Sequence, residues 1–284
     1  MATAYIYGAG QLVSNIISKA ERDYRILGLL DANEKKWGNT IDGYTVLGNI
    51  EYLHDKEYDK IILSQLSYKT VRQFLIDKGI PKDKIVTEYT TLFNDAREYF
   101  IRDLAIVLKT KGLDNFSVAE GGVYKGEFSK IISESFPESP LYLFDTFEGF
   151  DEGDMIIDEQ KGLSKANINN VFKDTSVEMV LKQLLHPERV VICKGYFPDT
   201  TKMVPEQHYG FVMLDFDLYK PILDGLRYFY PRMVKGGIIL CHEYFSNTFT
   251  GVKKAIEKFT EENNGHLTFF PIGDHVSIIV LKDE

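Results

Sequence analysis

The apolar and polar positions of this chain fall into the same order twice. AYIY (4–7) runs into Gly8-Ala9-Gly10; Leu12, Ile16, Ile17 and Ala20 then recur at helical spacing, and ILGLLD (26–31) ends on Asp31. Further on, FSVAE (116–120) runs into Gly121-Gly122-Val123-Tyr124-Lys125-Gly126. A helix-like segment follows, and LYLFD closes on Asp145. Strand, glycine turn, helix and a strand ending in a carboxylate make half of a doubly wound α/β fold, whose ligands lie at the carboxyl ends of the strands.

The remaining elements continue each unit. Residues 39–48 (NTIDGYTVLG) predict a turn-rich ribbon, 57–64 (EYDKIILS) a buried strand, 68–79 a helix stopped by Gly79 and Pro81, and 84–89 a last strand. Residues 90–103 predict a helical connector and 104–111 a helix covering the second sheet. These patterns place a small Rossmann-like domain over 1–92 and a larger α/β domain over 93–284. In the second, 176–184 reads as a helix, and RVVICKG (189–195), FVMLDFDLY (211–219) and GGIILCHEYF (236–245) as strands. GVKKAIEKF (251–259) reads as a helix, and HLTFFPIG with HVSIIVLK as a terminal hairpin. The polar span Asp151–Lys173 shows little periodicity, which leaves a lid over the site and a disordered surface insertion as equal readings.

Composition narrows the classes. Hydrophobic content of 44% and charged content of 26% fit a globular core. A formal charge of −9 argues against nucleic acid and anionic membranes as main partners. The first residues lack the pattern of a signal peptide, and no apolar run approaches bilayer-spanning length. Two cysteines, Cys193 and Cys241, fall in predicted strands as buried thiols. The expectation is a cytoplasmic protein; homo-oligomerisation is left open.

The candidate chemistry lies at the strand ends. No Lys followed by Ser or Thr closes the second glycine turn, so it is no triphosphate loop. Glu120 before the glycines disfavours a pyrophosphate and suits a sulfonium, pointing to S-adenosylmethionine with Asp145 on its ribose hydroxyls. An ordinary tight turn with a solvated aspartate is the competing reading. Asp215 and Asp217 at i and i+2 predict two carboxylates on one face of a strand end. His242-Glu243 ends the neighbouring strand. In the first unit Gly8, Gly10 and Asp31 approach a dinucleotide fingerprint, but Val13 stands at the third glycine position. The unit is also too short for a full NAD enzyme.

The stretches VAEGGVYKGEFS, LYLFDTFEGF, TSVEMVLKQL, VVICKGYFPDT, YGFVMLDFDLYKPILDGLRYFYPRMVKGGIIL and GVKKAIEKF occur in the order seen in the macrocin O-methyltransferase family, which the chain resembles from about Leu104 onwards. The resemblance implies a class I methyltransferase fold with its last strand inserted antiparallel between two parallel ones. It also implies methyl transfer from S-adenosylmethionine to a sugar or sugar-nucleotide hydroxyl. On this chain the implied cofactor residues are Glu120, Gly121, Gly122, Tyr124, Gly126, Asp145, Thr146, Gly195, Tyr196 and Phe197. Phe197 reads equally as core. The family's divalent metal (Mg or Mn) maps onto Asp215, His242 and Glu243. The family has two aspartates at the last two positions, and His-Glu here shifts the donor set towards manganese, zinc or iron. Without a metal, His242 becomes a candidate base oriented by Asp215 or Glu243. A catalytically silent sugar-nucleotide-binding scaffold is the alternative. The first unit resembles small Rossmann-like domains attached to sugar-modifying enzymes.

Overall fold

A computed structural model describes residues 1–10, 12–65, 67–164 and 171–283. The chain divides into two compact units, Met1–Ala96 and Arg97–Glu284.

The first unit carries β1 (Ala2–Tyr7), α1 (Val13–Ala20), β2 (Tyr24–Leu30), β3 (Thr40–Ile41), β4 (Tyr44–Gly48), β5 (Lys60–Leu63), α2 (Tyr68–Asp77) and β6 (Ile85–Val86). Its six strands lie in the order β3-β4-β2-β1-β5-β6, with β1 parallel to both β2 and β5. The ribbon of 39–48 is the antiparallel β3–β4 pair. Leu12, Ile16, Ile17 and Ala20 are buried as their spacing demands.

Residues 88–110 form one helix, α3 (Glu88–Thr110), where the sequence suggested a connector and a separate helix. Among the described residues no helix is long and apolar enough to cross a membrane.

The second unit continues with β7 (Ser117–Gly121), α4 (Glu127–Ser135), β8 (Leu141–Asp145), α5 (Glu152–Gln160), α6 (Val177–Leu181), β9 (Val190–Lys194), β10 (Tyr209–Leu214), α7 (Tyr219–Phe229), β11 (Met233–Cys241), α8 (Gly251–Glu262), β12 (Thr268–Pro271) and β13 (Ile278–Leu281). The sheet order is β12-β13-β11-β10-β7-β8-β9. β13 is antiparallel to both β11 and β12, so the last strand lies between two mutually parallel ones, as expected. The order reverses between β7 and β10, which is where an open α/β sheet forms its ligand crevice.

Two apolar layers enclose this sheet. One is built from Ile101, Leu104 and Leu108 of α3 with Ile132 of α4 against Val118, Leu143, Phe211 and Leu240. The other joins Ile222, Leu226 and Phe229 of α7 and Ile256 and Phe259 of α8 to Phe144, Val212 and Ile239. Both cysteines are free and buried, and burial pushes their thiols up, Cys193 to about 11.

Two further elements differ from the sequence reading. FVMLDFDLY does not run on as a strand: β10 stops at Leu214, and Asp217 takes a left-handed backbone with φ 62°. The span expected to be irregular opens with α5, whose N-cap Asp151 accepts from the Gly153 and Asp154 amides. Residues 165–170 of that span lie outside the described residues.

Candidate functional site

The glycine turn owes its composition first to the neighbouring strand end. Gly122 has φ 83°, and a Cβ there would lie 2.1 Å from the Asp215 carbonyl oxygen. A Cβ on Gly121 would lie 2.3 Å from the Phe216 ring. The Asp215 amide donates to the Gly121 carbonyl at 2.7 Å, and the Gly122 amide to Phe144 at 2.9 Å. The glycines thus bring the ends of β7 and β10 into backbone contact, a requirement that precedes any ligand.

Asp145 braces the same turn. Its Oδ2 accepts from the Val123 and Tyr124 amides at 2.6 and 3.0 Å, and its Oδ1 from Phe147 at 2.6 Å. A carboxylate has about four acceptor positions, so these bonds leave room for one more donor. Thr146 donates to the Gly149 carbonyl at 2.6 Å and shapes the loop after β8.

Glu120 is 1% exposed and accepts from the Ser129 hydroxyl of α4. Burial, with the charges of Asp215 and Asp145 adding to it, pushes its carboxyl well up. Its hydrogen bond with Ser129 ties β7 to α4. Tyr196 is likewise engaged, donating to Asp154 at 3.1 Å and accepting from Lys220 at 2.8 Å. Phe197 is core: 3% exposed, its ring stacks on Phe229 and meets Phe144 edge-on. Gly195 donates to the Asp145 carbonyl at 2.9 Å, so β8 and β9 end side by side.

Opposite them stands a histidine between carboxylates. His242 Nδ1 lies 2.7 Å from Asp215 Oδ1 and 3.5 Å from Glu243 Oε1. Neither ring nitrogen of this buried residue has a partner in hydrogen-bond geometry. Asp215, Asp217 and His242 each offer a ligand atom within 4.8 Å of the other two. The sequence-derived trio of Asp215, His242 and Glu243 meets around Nδ1, and Asp217, outside that trio, clusters with Asp215 and His242. Its strained backbone, rather than strand alternation, brings it there. Burial alone would raise Asp215, yet the His242 imidazole, with Arg97 adding to it, holds the carboxyl below its usual range. Burial and the charges of Asp215 and Glu243 push Asp217 well up.

The span after β8 touches the glycine turn on one side and the segment after β11 on the other. The Tyr124 hydroxyl and Lys125 both bond Asp174, and Thr175 donates to the Tyr124 carbonyl. Thr250 donates to Leu163 at 2.8 Å on the other side. Rings of Tyr124, Phe172, Phe150 and Phe249 touch in sequence at 5.0, 5.3 and 6.2 Å.

Sequence reasoning missed Asp158, whose only signal was an acid on the apolar-poor α5. It is fully buried and accepts from the Tyr219 amide at the start of α7, and a Cβ on Gly251 at the start of α8 would lie 2.8 Å from its Oδ2. Burial raises its pKa to about 6, above the free value of 3.8. The folded chain holds this proton more tightly than the unfolded one, so the associated stability is present at acid pH and lost as pH rises through about 4 to 6. Urea unfolding of Asp158→Asn beside wild type should show the difference shifting in the variant's favour by about 1–2 kcal/mol between pH 5 and pH 7.5.

A seven-stranded sheet with its last strand inserted antiparallel, and a glycine turn and paired acids at its reversal point, define a class I methyltransferase fold. Residues 115–275 match the family described as Macrocin-O-methyltransferase (TylF), and the chain belongs to that family. Residues 1–86 match a family described as C2185-like, N-terminal. Among solved structures, the O-methyltransferase NovP is similar at TM-score 0.54 and 19% identity, covering 66% of this chain and 80% of its own. The calicheamicin methyltransferase CalS11 is similar at TM-score 0.52 and 17% identity, covering 76% and 91%. No curated protein sequence matches the chain.

Proposed function

We propose that this O-methyltransferase transfers the methyl group of S-adenosylmethionine to a hydroxyl of a sugar or sugar-nucleotide. The observation that carries the reading is the meeting, at the sheet's reversal point, of the braced turn of Gly122 and Asp145 with the Asp215–His242 pair. Membership of the family supports it. Residues 120–126 would hold the cofactor, with Asp145 offering its remaining acceptor position to the ribose hydroxyls and Gly195 and Tyr196 standing for the base. Gly121, Gly126 and Thr146 shape this cradle; Glu120 acts through Ser129, and Phe197 through packing.

Transfer to an alcohol is an in-line displacement at carbon, so the chain must hold oxygen, methyl and sulfur collinear and take up the hydroxyl proton. His242 presents an imidazole with neither nitrogen in a hydrogen bond, and the Asp215 carboxylate lies 2.7 Å from its Nδ1, so the ring can serve as the base with a carboxylate beside it. Asp215, Asp217 and His242, with Glu243 beside them, fit a divalent cation, the mixed donor set favouring manganese over magnesium. Such an ion would lower the pKa of the acceptor hydroxyl. The row of Tyr124, Phe172, Phe150 and Phe249 supports an acceptor that offers an apolar ring face. We place residues 1–92 in a separate small α/β domain and 93–284 in the methyltransferase domain. Asp31 of the first is occupied by the Ala9 amide and Lys36, each at 2.8 Å, so a nucleotide ribose would have to displace the lysine.

Calorimetry with S-adenosylhomocysteine, repeated with manganese, magnesium and a chelator, tests the reading. The nucleoside is expected to bind in every condition, and manganese to bind wild type but not Asp217→Asn. Complete lack of nucleoside binding would leave the catalytically silent scaffold as the better account.

A further inference from the structure

The methyl donor proposed above carries opposite charges on its amino-acid arm, an ammonium and a carboxylate. The strand ends are rich in acids for the first. For the second, the described residues offer one buried guanidinium or ammonium group, that of Arg97, which is 4% exposed.

Arg97 is set against the glycine turn's own helix. Its guanidinium carbon lies 4.7 Å from the centroid of the Phe128 ring, in the first turn of α4. Its Nε is 3.3 Å from Asp274 Oδ2, in the loop between β12 and β13. That approach is not a hydrogen bond, and the buried Nε is left without an acceptor. Asp274 is already satisfied, accepting from the Val276 amide at 3.0 Å, the Ser277 amide at 2.7 Å and the Ser277 hydroxyl at 2.6 Å. Asp274 therefore neutralises Arg97 without using its fork of donors well. A buried cation with an unfilled donor is costly unless something completes it, and a planar carboxylate matches a guanidinium better than any other common ligand group. Phe128 stands two residues beyond Gly126 of the turn, and the Val276 carbonyl, two residues beyond Asp274, accepts from the Phe245 amide just past Glu243, so both neighbours of the arginine adjoin the segments that carry the site.

We propose that Arg97 is the subsite for the carboxylate of the cofactor's amino-acid arm, with Phe128 holding the guanidinium and Asp274 fixing its orientation. The assignment rests on the S-adenosylmethionine reading. It makes Arg97 a recognition residue that separates amino-acid-bearing nucleosides from those lacking the arm.

Three probes test it by calorimetry on the full chain: S-adenosylhomocysteine, its decarboxylated analogue, and methylthioadenosine, which has no amino-acid arm. Wild type is expected to bind S-adenosylhomocysteine roughly 10- to 100-fold more tightly than the decarboxylated analogue. Arg97→Gln should erase most of that difference while leaving methylthioadenosine within about twofold, as no charge-assisted bond is lost there. Arg97→Lys should recover part of it. Equal binding of the two longer probes by wild type overturns the proposal, and needs no variant to fold. So does an equal weakening of all three probes in Arg97→Gln, which would mark a packing role. If wild type binds none of the three, the methyltransferase reading fails and this one with it. If it binds methylthioadenosine but shows no preference for the carboxylate, only the Arg97 assignment falls.

Discussion

Replacing Asp215 by asparagine is expected to reduce methyl transfer by on the order of 10³-fold while leaving the dissociation constant for S-adenosylhomocysteine within about threefold. The two readouts separate because the residue serves two elements differently. Its backbone joins β10 to the glycine turn, through its amide on Gly121, and an asparagine keeps that bond. Its carboxylate alone reaches His242 Nδ1 at 2.7 Å. An amide in its place offers either a weaker acceptor or a donor, and removes the negative charge beside the ring. Single-turnover transfer with excess enzyme, alongside calorimetry, reads both quantities. An unchanged rate would remove Asp215 from the chemistry; a parallel loss of affinity would make it a structural residue.

Gly122→Ala is expected to be the more damaging of two glycine substitutions in the turn, by about 2–5 kcal/mol of stability. The added Cβ meets a backbone carbonyl at 2.1 Å, and the residue must keep φ 83°. Neither the carbonyl nor the dihedral can yield without separating β7 from β10. Gly126→Ala shares the positive φ, 80°, but its Cβ would meet Val180 at 2.9 Å, and a side chain can turn away. A loss nearer 1–2 kcal/mol is expected there. Urea midpoints for the two variants give the ranking. Equal losses would show that the dihedral, and not the contact with Asp215, sets the requirement at both positions.

Much of this was legible in the sequence because strand-turn-helix periodicity and strand-terminal acids are local signals. The buried helix face of Ile16, Ile17 and Ala20, the stop of β8 at Asp145 and the terminal β12–β13 pair could all be read from spacing. What could not be read depended on three dimensions. FVMLDFDLY looks like one strand because Phe216 and Leu218 keep the apolar alternation, yet the chain leaves the sheet after Leu214 and Asp217 reaches its neighbours through a left-handed turn. Glu120 was legible as an acid but not as a buried one, since its partner Ser129 lies a helical turn beyond the glycines. Tyr196 and Phe197 are adjacent aromatics with no sequence cue to tell which packs inward; the structure turns Phe197 into the core and Tyr196 towards Asp154 and Lys220. The pairing of Arg97 with Asp274 joins residues far apart in the chain, and no local pattern announces it.

The place of β13 has a consequence for synthesis. The six strands of the first unit have all been made by Val86, whereas the second sheet has a gap between β11 and β12 until Ile278–Leu281 clear the ribosome. Until then the flanking strands present open edges and a half-covered apolar face, the kind of surface that chaperones retain and aggregates recruit. The nascent methyltransferase unit is therefore expected to stay accessible to chaperones until β13 has joined the sheet, while residues 1–86 can acquire protease resistance on stalled chains much earlier.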